Sequence, residues 1–139
     1  MALVTAVTSS GSEARADGGE GPPPPPPGIR ASMQCDRSSE PGRVRCTAEA
    51  HVEGARTIAW ADVEIVSIPD FATALKGRIG RDDATFKDAT TTKWAFGLVA
   101  KKNGQGELRA RIRVVVCSQP GESRCVPVVV EVRAPVVVG

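Results

Sequence analysis

The chain has 139 residues, with 18 Lys and Arg against 16 Asp and Glu, a single His and a formal net charge of +2. That length supports one domain, and so small a charge excludes capture of nucleic acid or an anionic membrane by long-range attraction. Two Trp, three Phe and no Tyr leave the core to Val, Ile, Ala and Leu, and no apolar run approaches the roughly 18 residues that a membrane span needs.

Residues 1–16 open on an apolar stretch that includes Leu3, Val4 and Val7, and close on Ala14-Arg15-Ala16. The two small residues match a secretory cleavage signature. The segment is read as a signal-peptide remnant; the alternative is an Ala/Ser/Thr-rich tail. The cysteines favour the first, because disulfides belong to oxidising compartments. The expected location is therefore periplasmic or extracellular. Residues 17–28 form a disordered Pro/Gly-rich linker with six consecutive prolines at 22–27. Such a run adopts polyproline II, spans roughly 19 Å and acts as a stiff spacer.

A folded domain is expected over 29–135. Its first strand, 29–35, places Ala31, Met33 and Cys35 on one face. A turn-rich stretch follows, and then residues 43–52 alternate. Val44, Cys46, Ala48, Ala50 and Val52 share one face, opposite Arg43, Arg45, Thr47, Glu49 and His51. Period two marks a half-buried strand. Residues 56–66 form a third strand whose phase slips: Ile58 and Trp60 share one parity, Val63 and Ile65 the other. A bulge near Trp60 and Ala61 would reconcile them. Residues 68–75 read as an irregular crossing, 77–83 and 84–89 as short strands about an Asp82-Asp83 turn. Trp94, Phe96, Leu98 and Ala100 mark a core strand. Asn103-Gly104 signals a tight hairpin, because both turn positions favour φ > 0. Seven or eight short strands, frequent turn signals and no long helix give an all-β fold, an immunoglobulin-like antiparallel β-sandwich.

Strands over 107–117 and 125–133 close the chain. Leu108, Ala110, Ile112, Val114 and Val116 face inward, and Cys117 falls outward with Arg109, Arg111 and Arg113. Val126, Val128, Val130 and Val132 share a face, and Cys125 falls with Glu131 and Arg133. Cys35 and Cys46 are inward, Cys117 and Cys125 outward. Parity therefore pairs Cys35 with Cys46 and Cys117 with Cys125, unless a bulge reverses a strand. The Cys46–Cys117 bridge of a true immunoglobulin domain would need such a reversal.

Catalytic groups are sparse. His51 lies on a polar strand face with no nucleophile recognisable beside it. One His and two hairpin cysteine pairs do not make a metal site, so no metal and no cofactor are expected. Arg43, Arg45, Arg109, Arg111 and Arg113 are expected to pair with Glu49, Asp62, Glu64, Glu107 and Glu131 on neighbouring strands rather than to form a basic surface for an acidic partner. No aromatic residues interleave with them to stack bases, so no nucleic acid is expected.

A strand ending in Cys117, a short polar loop, Cys125-Val126-Pro127 and a valine-rich closing strand resemble the end of the N-terminal domain of the periplasmic thiol:disulfide interchange protein DsbD. The resemblance runs over residues 107–133. It implies an immunoglobulin-like sandwich in which Cys117 and Cys125 are the redox-active pair. The Tyr residues that flank the family's pair are absent here. Two functions follow as expectations. One is an exported binding or structural module held by two disulfides, without catalysis of its own, that meets a protein partner. The other is a thiol-disulfide exchange domain working through Cys117 and Cys125.

Overall fold

The computed structural model describes residues 24–118 and 124–139; residues 1–23, which include the predicted signal-peptide remnant and the start of the linker, lie outside the described residues. Six long strands dominate: β1 (Ile29–Cys35), β2 (Gly42–Val52), β3 (Thr57–Ser67), β7 (Thr91–Ala100), β8 (Gly104–Cys117) and β9 (Cys125–Val138). Among the described residues three short pieces complete nine strands, β4 (Ala72–Ala74), β5 (Arg78–Ile79) and β6 (Phe86–Lys87), with a single 3-10 turn at Arg81–Asp83.

All strand pairing is antiparallel apart from one isolated bridge, and the strands form two sheets. The first sheet runs β1-β2-β7-β4, with β6 sharing the outer edge of β7; the second runs β5-β3-β8-β9. In immunoglobulin terms this is A-B-E-D facing C′-C-F-G, with β4 and β6 together in the place of D. The chain is an immunoglobulin-like β-sandwich.

The core lies between the sheets and follows the sequence alternation. Val44, Cys46, Ala48, Ala50 and Val52 of β2 are buried, as are Leu108, Ala110, Ile112, Val114 and Val116 of β8. Trp94 is the largest buried side chain, and its indole N–H donates to the Gly80 carbonyl at 3.2 Å, so its burial leaves no polar atom unpaired. Along β9, burial continues past residue 135 through Val136 and Val138. The Gly139 N–H then donates to the Ser38 carbonyl at 2.8 Å, fastening the strand's end to the β1–β2 loop.

Two local expectations are corrected. Ile58 and Trp60 do not share a face. The bulge falls between them, at Ala59, because Ile58 pairs with Val116 and Trp60 with Val115. Ile58 therefore packs on the core while Trp60 points outward. Asn103-Gly104 is not a hairpin turn: β7 and β8 belong to different sheets, so 101–103 carries the chain across the sandwich. Gly104 does not have positive φ. It is needed for another reason: a Cβ there would lie 2.7 Å from Cδ2 of Phe71, which packs on the bare backbone. Of the predicted linker, residues 26–29 make a turn in which the Ile29 N–H donates to the Pro26 carbonyl at 3.2 Å. Pro27 and Gly28 take its central positions, and Gly28 has φ +80°, as a type II turn requires.

Candidate functional site

Both cysteine pairs are bridged, and no cysteine is free. Each bridge joins residues directly opposite on neighbouring strands, Cys35 with Cys46 and Cys117 with Cys125. The ladder explains why they fit. The Asp36 N–H donates to the Arg45 carbonyl at 2.8 Å and the Ser118 N–H to the Arg124 carbonyl at 3.1 Å. The next pair inward is in each case a non-hydrogen-bonded one, where side chains approach most closely. Each bridge thus fastens the end of a hairpin within one sheet. Neither crosses the core.

Their surroundings differ. Cys46 is fully buried against the core, whereas Cys117 is half-buried and Cys125 exposed. The second bridge lies on the outer face of the β5-β3-β8-β9 sheet, with Thr57 of β3 beside Cys117. Below it on that face comes a row of Trp60, Val115 and Pro127, and then Asp62, Arg113 and Val129. Further along, Arg78, Glu64, Arg111 and Glu131 cross the sheet in line. The face passes from an apolar end around the bridge to a charged end.

Asp62 anchors the transition. It is 1% exposed, yet it faces outward. Arg113 covers it with a two-pronged pair: Nε donates to Oδ1 at 2.8 Å and Nη2 to Oδ2 at 2.5 Å. Arg78 adds a looser contact at 3.6 Å. The hydrogen-bonded Asp62 carboxylate holds the Arg113 guanidinium protonated more firmly than an ordinary arginine, although burial opposes this. The same guanidinium stands 5.6 Å from the Trp60 ring centroid, a cation–π contact. Trp60, Arg113 and Asp62 form one interlocked cluster beside the bridge.

The expected charge pairing holds for Asp62 with Arg113 and for Glu64 with Arg111 at 3.6 Å; Glu107 pairs instead with Arg133 at 3.7 Å, and Arg43, Arg45 and Arg109 make no ion pair among the described residues. Glu49 and Glu131 make no ion pair among the described residues. His51 sits on the other sheet, where its Nδ1 lies 2.8 Å from the Thr91 hydroxyl. The fold does not bring it to Cys117 and Cys125. Among the described residues no three His, Cys, Asp or Glu side chains cluster as metal ligands would, and no helix is long and apolar enough to cross a membrane. The cluster around Trp60 escaped sequence reading because its position depends on which residue bulges. The phase slip in 56–66 signalled a bulge; Ala59 as its seat has no signature of its own.

No family model and no curated protein matches the chain. Solved structures similar to it include one from a study of fibronectin binding and biofilm formation by AAF fimbriae of enteroaggregative Escherichia coli. It is 11% identical, with a TM-score of 0.36, over 80% of this chain and 99% of that one. Another is the ASH/PapD-like domain 7 of human CEP192, 7% identical with a TM-score of 0.40, over 84% of this chain and 90% of the other. A third is BslA, a bacterial hydrophobin, 9% identical with a TM-score of 0.33, over 84% and 97%. Likeness at this level says nothing about function; the fold class stands on the strand order and register above.

Proposed function

We propose that this chain is an exported binding or structural module, a sandwich stapled once in each sheet that performs no catalysis itself and offers a sheet surface to a protein partner. One observation carries the reading: all four cysteines are spent in two in-register, in-sheet bridges. Such bridges persist in the periplasm or outside the cell and are rare in the reducing cytosol. The staples compensate for a small core poor in aromatic residues. Equilibrating the purified protein in glutathione buffers and alkylating free thiols tests this. Both bridges should stay closed at ambient potentials above about −300 mV, as structural disulfides do.

A second reading rests on the exposure of Cys125. A partner dithiol could attack Cys125 Sγ, releasing Cys117 as a thiolate; the partner's second thiol would then resolve the mixed disulfide. The partner leaves oxidised, and Cys117 and Cys125 are reduced. This is the exchange chemistry implied by the resemblance to the DsbD N-terminal domain. Here the same titration would open Cys117–Cys125 near about −200 mV while Cys35–Cys46 stayed closed.

A further inference from the structure

The outer faces of the two sheets use their charges differently. On the β5-β3-β8-β9 sheet, Arg78, Arg111, Arg113 and Arg133 are each engaged by a carboxylate, and among the described residues Arg109 alone is left over. On the outer face of the β1-β2-β7-β4 sheet, Arg43, Arg45 and Lys93 make no ion pair among the described residues. Arg43 stands opposite Val99 and Arg45 opposite Gly97, neither of which answers a charge. Asp36 gives its N–H to the Arg45 carbonyl at 2.8 Å, but its carboxylate makes no ion pair among the described residues. Glu49 stands opposite Lys93, yet the Lys93 ammonium lies 5.6 Å from the centroid of the Phe86 ring instead.

The same face carries a trough. β7 runs between β2 on one side and the short β4 and β6 on the other. Its outward residues include Ala95 and Gly97, too small to fill the space above them. Two adjoining hollows result. One, of about 400 Å³, is lined by Arg43, Arg45, Ala95 and Gly97; the other, of about 520 Å³, by Arg45, Thr47, Lys93 and Ala95. Arg43 and Arg45 form one wall. Leu75 and Phe86, 50% and 47% exposed, stand on the other side. Leu75 bonds through its N–H to the Gly97 carbonyl at 3.1 Å and leans over that glycine, where a Cβ would lie 2.9 Å from its Cδ1. The two walls are two strand spacings apart, roughly 10 Å, a gap that one extended chain fills. Arg43 and Arg45 are alternate residues of one strand, so they project about 7 Å apart, the spacing of alternate side chains in an extended partner.

We infer that this trough receives an extended acidic segment of a protein partner, with carboxylates at alternate positions. Laid along β7, such a segment turns its carboxylates to Arg43 and Arg45 and the residues between them to Leu75 and Phe86. The apolar wall is what favours a polypeptide over an anionic polysaccharide, which brings charge at regular intervals but no apolar side chains. The guanidinium–carboxylate pairs are exposed, so they set selectivity and rate of approach more than affinity. The inference rests on the module reading and names the surface and the partner chemistry for it.

Fluorescence anisotropy with the full chain and a labelled peptide alternating Glu and Val tests it. Saturable binding is expected below about 1 mM, weakening as salt is raised. Arg43→Glu combined with Arg45→Glu should weaken it by about tenfold or more, whereas Arg109→Glu on the other sheet should leave it unchanged. A peptide alternating Glu and Ser should bind less tightly, and Phe86→Ser should shrink that difference. Melting curves check that each variant is folded. Absence of saturable binding would overturn the inference, as would an equal loss from Arg109→Glu, which would reduce the effect to net charge. Binding of dextran sulfate without binding of the peptide would assign the face to an anionic polysaccharide and also overturn it. Failure to bind while both bridges stay closed in the glutathione titration counts against this inference alone; an opened Cys117–Cys125 bridge counts against the module reading.

Discussion

Burying the Asp62 carboxylate strips it of water, and the paired hydrogen bonds from Arg113 are what offset that cost. Arg113 keeps 31% of its side chain exposed, so solvent still screens the pair. Asp62→Ala is expected to cost about 2 kcal/mol by urea denaturation at neutral pH; a loss under about 0.5 kcal/mol would mark an ordinary surface pair. A different residue-scale constraint sits at Gly104. Ala there would drive its Cβ into Phe71, and since the backbone φ is not positive the penalty is one of packing. We expect a loss of about 1–3 kcal/mol, read from the melting curve. Acid sensitivity also begins with single residues. Asp88 accepts hydrogen bonds from the Thr90 and Thr91 backbone at 2.9 Å, and these, Thr90 first, hold its pKa below the ordinary 3.8. Asp83 is lowered in the same sense by Lys76 and then by the Gly80 N–H. A carboxyl depressed on folding contributes stability above its unfolded pKa and loses it as pH falls through the folded one. Thermal stability should therefore drop on acidification below about pH 4, and Asp88→Asn should flatten that drop.

At the scale of elements, the two bridges invite unequal consequences. Each closes a short loop, with sequence separations of 11 and 8 residues, and loops of that size are each rated at about 3 kcal/mol or somewhat less. Cys46 is also a core residue, so Cys35→Ala with Cys46→Ala should lower the melting temperature more than Cys117→Ala with Cys125→Ala. Equal losses would show that burial at Cys46 adds nothing to loop closure. The alternation that places these cysteines was legible in the sequence because each strand carries a clean period of two. Both bridges follow from parity together with direct opposition in a hairpin. The β7–β8 connection was not legible. Asn103-Gly104 favours a tight hairpin locally, but Leu98 and Ala100 on one strand and Leu108 and Ala110 on the next must bury against facing sheets. Tertiary burial outweighed the turn preference, and Gly104 serves instead to admit Phe71.

Across the whole molecule, strand count and turn spacing were enough to indicate an immunoglobulin-like sandwich, because short half-buried strands with no long helix have few other ways to close a core. Two features of that fold had to come from the structure. The tryptophan on strand C, Trp60, is turned outward by the bulge at Ala59, and the buried tryptophan is Trp94 on strand E. Cys46 and Cys117 occupy strands B and F, the pair that an immunoglobulin domain joins across its core, yet each is bonded within its own sheet. That choice leaves one bridge anchored in the core through Cys46 and the other at the surface beside Trp60. The module reading, the exchange reading and the difference between the two double-alanine variants all depend on it. Non-reducing peptide mapping of the purified chain tests it most directly. Fragments linked Cys35 to Cys46 and Cys117 to Cys125 are expected; a fragment joining Cys46 to Cys117 would contradict the in-sheet pairing and everything built on it.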